Sequence, residues 1–178
     1  MAAAGVACAA TAAPVDERAV GADLTDPDAV ADARAAAKAL AVSAAHPGDL
    51  VIGADQVLAR AGRLFSKPAT PEDARAQIEA LAGGQHLLVS AACAARGGQV
   101  LWRGRSHARM TMRSPSPAYL DAYVARNWPA IGGSVGAYMI EGEGARLFAA
   151  VEGDPFAIQG LPLVPLLAWL AETGEIDG

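Results

Sequence analysis

The sequence predicts an α/β fold: a twisted mixed sheet with helices packed around it and a cleft at the strand ends. Three observations carry this expectation. The apolar run Leu50-Val51-Ile52 climbs into Gly53-Ala54-Asp55-Gln56-Val57 and has the length of a buried strand. Three Pro-containing helix starts, Asp26-Pro27, Thr70-Pro71 and Ser116-Pro117, open segments with helical apolar spacing. Two long strand-like stretches, 87–95 and 100–112, flank the turn signal Arg96-Gly97-Gly98-Gln99. Neither a repeat, a low-complexity linker nor a second composition interrupts the chain, so its 178 residues read as one domain large enough for a sizeable core.

Taken in order, residues 5–13 are small and apolar and end at Pro14, consistent with a strand, and Asp16-Glu17-Arg18 follows on a loop. Asp26 is placed to cap a helix with Pro27 at its first position and Asp28 against its dipole. Val30, Ala33, Ala37, Leu40 and Ala41 form its expected apolar face, and Pro47-Gly48 breaks it after about His46. After the 50–57 strand, Arg60-Ala61-Gly62-Arg63 reads as a hairpin turn. Thr70 caps a second helix whose buried face is Ala74, Ile78 and Leu81, stopped by Gly83-Gly84. His86 opens the next strand and reads as a structural hydrogen-bonder. On the following strand Arg103, Arg105, His107 and Arg109, with Arg113 just beyond, share one period-2 face; a solvated face is the first explanation, a phosphate-attracting stripe the second. Ser116-Pro117 opens a third helix with Tyr119, Leu120, Tyr123 and Val124 towards the core, and Asn127-Trp128-Pro129 ends it. Residues 131–144 are rich in glycine and turns. Residues 147–151 form a last strand, Gly153-Asp154-Pro155 a turn, and Leu166, Leu167, Trp169 and Leu170 the core side of a final helix.

Composition excludes several classes. A net charge of −5 with no basic run argues against a nucleic-acid backbone as partner, though a few local cations suffice for one nucleotide. No stretch approaches a membrane span, and the Ala-rich start lacks a basic region ahead of its short apolar run. Cys8 and Cys93 are far apart with no metal spacing and read as small buried hydrophobes in a reducing cytosol, which makes the expected location cytoplasmic.

The chemistry concentrates around Asp55. A buried strand that ends in a carboxylate is one way to aim an acid into a cleft, and Gly53-Ala54 before it leaves room for a ligand or a close backbone. Lys67 precedes Pro68, so it lies on an extended or turn segment with its amine free. A fixed carboxylate and a fixed amine suit a metal-phosphate substrate. Alone, the same residues also fit a turn or cap Asp and a solvated Lys. Glu17 fits a solvated cluster and Lys38 a solvated helix lysine; the other reading of Lys38 packs its stem and points its amine to the cleft.

A set of motifs in fixed order adds to this. Val15-Asp16-Glu17, Lys38, Gly53-Ala54-Asp55-Gln56 and Lys67-Pro68 are followed by Gly83-Gly84-Gln85-His86, Tyr123-Val124, Gly136-Ala137-Tyr138 with Ile140-Glu141-Gly142, and Gly160-Leu161-Pro162-Leu163. From about residue 5 to residue 170 the chain resembles the Maf family of nucleoside-triphosphate pyrophosphatases. The family's opening strand and its Ser-x-Ser-Pro-Arg-Arg loop have no counterpart in these 178 residues. The resemblance implies hydrolysis of a nucleoside triphosphate to the monophosphate and pyrophosphate with a divalent metal, Mg²⁺ or Mn²⁺, in a nucleotide cleft. It implies Asp55 as the acceptor of the water proton, Glu17 and Asp55 on the metal, and Lys38 and Lys67 on the phosphates. Gln56 and Glu141 stand where the branch preferring 7-methyl-GTP differs from the branch acting on thymidine and uridine triphosphates, although Gly136-Ala137-Tyr138 is closer to the latter. The resemblance also implies a homodimer. A catalytically inactive nucleotide-binding or regulatory member is the alternative.

Overall fold

A computed structural model describes residues 1–177. Helix α1 (Pro27–Ala45) begins where Asp26 accepts a hydrogen bond from the Ala29 amide at 3.1 Å, and its end leads into β1 (Val51–Arg60). A tight turn with Ala61 and Gly62 at φ 49° and 77° returns the chain as β2 (Arg63–Phe65). Helix α2 (Pro71–Leu81) is capped by Thr70. Strands β3 (Gln85–Arg96) and β4 (Gln99–Met112) are joined through Gly97 and Gly98, both at positive φ. Helix α3 (Pro117–Asn127), capped by Ser116, is followed by single-turn segments up to β5 (Phe148–Gly153). A short α4 (Pro155–Ile158) and α5 (Leu163–Glu172) end the ordered elements. None of the helices among the described residues is long and apolar enough to cross a membrane.

The α/β class holds. The expected mixed sheet, however, is antiparallel in all four described pairings, in the order β2-β1-β3-β4-β5. The cause is local for two of them, because two-residue turns can only join antiparallel neighbours. Residues 5–13, expected as a strand, form none: Ala-rich sequence has weak strand preference and little area to bury. Cys8 lies exposed in this stretch, against expectation, whereas Cys93 is buried on β3.

The sheet separates two cores. On one face Val57, Val89, Ala91 and Cys93 pack against α1. On the other, Leu58, Leu88, Met110 and Met112 pack with Ile78 of α2 and Tyr123 of α3. Helix α1 does not bury its expected face. Val30 is buried, but its companions are Ala31, Ala35, Ala36, Ala39 and Ser43, while Ala33, Ala37, Leu40 and Ala41 are half-exposed. The smallest side chains face the sheet because the helix lies against a glycine there, as the site makes clear.

Candidate active site

Strand alternation puts Gly53, Asp55 and Val57 on the α1 side of β1, and all three are buried. Gly53 meets the helix directly. A Cβ there would lie 2.5 Å from the Ala39 amide nitrogen and closer still to the Ala35 carbonyl oxygen. The room noted before Asp55 therefore serves a close backbone, and the close helix brings Lys38 within reach of the carboxylate two residues further along.

Lys38 Nζ lies 2.7 Å from Asp55 Oδ1, 2.8 Å from Glu17 Oε1 and 3.2 Å from the Ala54 carbonyl oxygen. Three residues far apart in sequence thus form one bridged charge cluster. The Lys38 and Asp55 side chains are 19% and 6% exposed, whereas that of Glu17 is 47% exposed. Burial drives the Asp55 pKa above the usual carboxylate value, against the opposing pull of the Lys38 hydrogen bond and charge. Burial would drain Lys38 of charge, but its bonds to Asp55 and Glu17 outweigh that and hold its pKa above the ordinary lysine value. The Lys38 hydrogen bond lowers the pKa of Glu17. Asp55 Oδ2 is buried and has no hydrogen-bond partner among the described residues. A buried carboxylate oxygen left unpaired is costly in a purely structural role, and it is the atom available to take a proton or hold a cation.

Gln56 points to the opposite face. Its Nε2 donates to the Ala157 and Ile158 carbonyl oxygens at 2.6 and 3.0 Å, with Ser90 Oγ at 3.3 Å and itself bonded to Ala157. Beyond it, residues 134–141 form a wall anchored at several points. The Gly136 amide donates to Gln77 Oε1 at 2.6 Å, and Tyr138 OH lies 2.7 Å from His86 Nε2. Just after the wall, Glu143 accepts from Arg126 and Asn127, and the Arg126 bond leads in lowering its pKa to about 2. The glycine-rich stretch is therefore tied into α2, β3 and α3. Burial lowers the pKa of His86 from an ordinary 6.5 to about 4, in keeping with a structural partner for Tyr138.

These pieces surround a cleft of about 920 Å³ at the edge of β1 left uncovered by β2, which pairs only with Leu58, Ala59 and Arg60. All the sequence-predicted site residues, Glu17, Lys38, Asp55, Gln56, Lys67 and Glu141, line it. Glu17, Lys38 and Asp55 are in contact. Lys67 is exposed and close enough for its charge to act on Glu17, and Glu141 is exposed near the wall's end. The Gln56 amide donors are spent on the backbone of α4. The cleft is charged on the α1 side, and Phe65, Val135, Ile140 and Ile158 make it apolar on the other. Sequence reasoning missed two cleft arginines, Arg18 and Arg34. The signal for Arg34 was its spacing of four from Lys38, which puts both on one helix face.

Among the described residues, no group of three or more His, Cys, Asp or Glu side chains is placed to hold a metal ion. Two carboxylates and an unpaired Asp55 oxygen do suit a hard cation that takes its remaining ligands from phosphate and water, as Mg²⁺ commonly does.

The family model described as Maf-like protein matches residues 1–173. A nucleoside triphosphate pyrophosphatase of Ruegeria pomeroyi is 47% identical over 167 residues, covering 92% of this chain and 84% of the relative. A 7-methyl-GTP pyrophosphatase of Mesorhizobium japonicum is 49% identical over 179 residues, covering 98% and 90%. A nucleoside triphosphate pyrophosphatase of Sphingopyxis alaskensis is 47% identical over 177 residues, covering 97% and 89%.

Proposed function

The chain belongs to the Maf-like protein family, and from that premise we propose that it hydrolyses a nucleoside triphosphate to the monophosphate and pyrophosphate. The observation that carries the chemistry is the buried, unpaired Asp55 Oδ2 beside an oxygen clamped by Lys38. Lys38 fixes the carboxylate and keeps it anionic against the cost of burial. Oδ2 is then the proton acceptor: a water oxygen attacks phosphorus, its proton passes to Asp55, and the P–O bond to the leaving pyrophosphate breaks with its electron pair. Such a transfer needs positioning and charge neutralisation more than covalent help. Lys38 and Lys67 supply positive charge on the phosphate side, and the apolar half of the cleft receives the base. Glu17 and Asp55 would hold a divalent cation, Mg²⁺ or Mn²⁺, which when bound neutralises phosphate charge and orients the reacting oxygens.

The base preference belongs to the same proposal. The 7-methyl-GTP pyrophosphatases of Mesorhizobium japonicum and Brucella abortus, 49% and 44% identical, support a methylated guanine as substrate. Glu141, near the end of the wall, is positioned to accept hydrogen bonds from a guanine edge. Gln56 acts there through the Ile158 segment it holds. A cytoplasmic location suits the free thiols of Cys8 and Cys93, and a homodimer completes the proposal.

The test is a panel of canonical and 7-methylated triphosphates, each assayed for monophosphate and pyrophosphate with Mg²⁺, Mn²⁺ or chelator. Equimolar products, lost with chelator and fastest with 7-methyl-GTP, are expected. Release of inorganic phosphate instead, or nucleotide binding without turnover, would refute the proposed activity.

A further inference from the structure

Of the two further arginines in the cleft, Arg34 shares a helix face with Lys38. We propose that Arg34 is a further substrate-binding residue, gripping the pyrophosphate half of the triphosphate from the turn of α1 that precedes Lys38. The inference rests on the proposed pyrophosphatase activity and names a part of the substrate that this side chain holds.

Arg34 lies four residues before Lys38, so the two side chains leave the same helix face about 6 Å apart along its axis. It lines the same cleft and is half-buried. Its one hydrogen bond runs from Nε to the Val20 carbonyl oxygen at 3.4 Å, near the limit for such a bond. Among the described residues, its two terminal nitrogens have no partner and it forms no ion pair. Elsewhere Arg75, Arg96, Arg105 and Arg126 each meet a carboxylate within 2.9 Å. An arginine held by a single weak bond in a cleft, with its fork unspent, suits a planar, doubly hydrogen-bonded anion.

Its place follows from what surrounds it. The Arg34 charge acts on both Glu17 and Asp55, so it belongs to the charged half. Lys38, not Arg34, is in contact with Asp55. With Asp55 at the reacting phosphorus and the base in the apolar half, a cation one helical turn beyond Lys38 meets the leaving group rather than the monophosphate.

Arg34→Gln removes the charge and Arg34→Lys keeps it without the fork. Inhibition of turnover by inorganic pyrophosphate and by the monophosphate product reads the two halves separately, and calorimetric titration with pyrophosphate reads binding without turnover. In Arg34→Gln, KM and the pyrophosphate inhibition constant should both rise about 10- to 100-fold, the range for losing a hydrogen bond to a charged group. Monophosphate inhibition should stay unchanged, and Arg34→Lys should recover part of the loss. Unchanged pyrophosphate affinity, or an equal loss of monophosphate affinity, would overturn the assignment. If the wild-type chain turns nothing over, the proposed activity fails, and titration still decides on Arg34: pyrophosphate bound by wild type and not by Arg34→Gln upholds it, equal or absent binding overturns it. Should Arg34→Gln not fold, Arg34→Lys carries the test, with several-fold weaker pyrophosphate binding expected.

Discussion

Replacing Lys38 by Met keeps the packed stem and removes the charge between Glu17 and Asp55. Nζ holds Asp55 Oδ1 at 2.7 Å and Glu17 Oε1 at 2.8 Å. Glu17, with its side chain 47% exposed, can rehydrate; Asp55, at 6%, cannot. Breaking a fully buried ion pair costs roughly 3–5 kcal/mol, and with only one of these carboxylates stranded we expect the low end, about 3 kcal/mol at neutral pH. The sign with pH follows from Asp55. Its pKa already lies above the ordinary 3.8 through burial, with Lys38 opposing the rise. Without Lys38 it rises further, and the folded state then holds a proton that the unfolded chain releases. The variant should therefore lose stability as pH rises from the ordinary value through the new folded one. The rate reports the same group. In a pyrophosphate-release assay, kcat/KM should fall about 10²- to 10³-fold, the size of one preorganised donor. The acidic limb of its pH profile should move to higher pH. A variant with near-normal kcat/KM and an unmoved acidic limb would refute the assignment of Lys38 as the group that keeps Asp55 ionised.

Three further outcomes are expected. Gly53→Val drives a side chain into the backbone of α1 at Ala35 and Ala39 and should cost about 3 kcal/mol or more in denaturant unfolding, with loss of turnover as Lys38 is displaced; an unaltered midpoint would contradict the close helix–strand contact. His86, lowered from 6.5 to about 4 chiefly by burial, contributes stability that is present above pH 6.5 and lost as pH falls towards 4, worth roughly 3 kcal/mol in all. His86→Asn should flatten that interval of the stability curve, and a curve that keeps its slope would count against the buried neutral imidazole. Arg126→Met unties Glu143 at the end of the base-side wall and should raise KM more than it lowers kcat; a fall in kcat alone would place the wall's role elsewhere.

Local signals were the legible ones. Asp26, Thr70 and Ser116 each cap the helix they announce, because a cap depends only on its own turn. Gly97-Gly98 makes its turn for the same reason. The buried face of α1 was not legible. With alanine at most positions every face looks alike, and what selects Ala35 and Ala39 is Gly53, a partner outside the helix. Residues 5–13 resembled a strand in composition, but a strand needs a neighbour, and among the described residues they pair with none. In the site, the residue types were readable and their partnership was not. Lys38 was expected on phosphate, and nothing in its local sequence tells that it also bridges Glu17 and Asp55. Gln56 was expected on the base, yet its donors hold the backbone of α4, an element 99 or more positions away whose few residues carry no periodic signal.

Asp55→Asn tests most directly whether Asp55 is the base of the proposed nucleoside-triphosphate pyrophosphatase. Asp55→Asn keeps the shape and an oxygen for Lys38 while removing the proton acceptor. Single-turnover hydrolysis beside equilibrium nucleotide binding separates the two roles. We expect a folded variant that still binds the triphosphate but turns it over at least about 10²-fold more slowly, the low end for general-base loss. Turnover within a few-fold of wild type would contradict it.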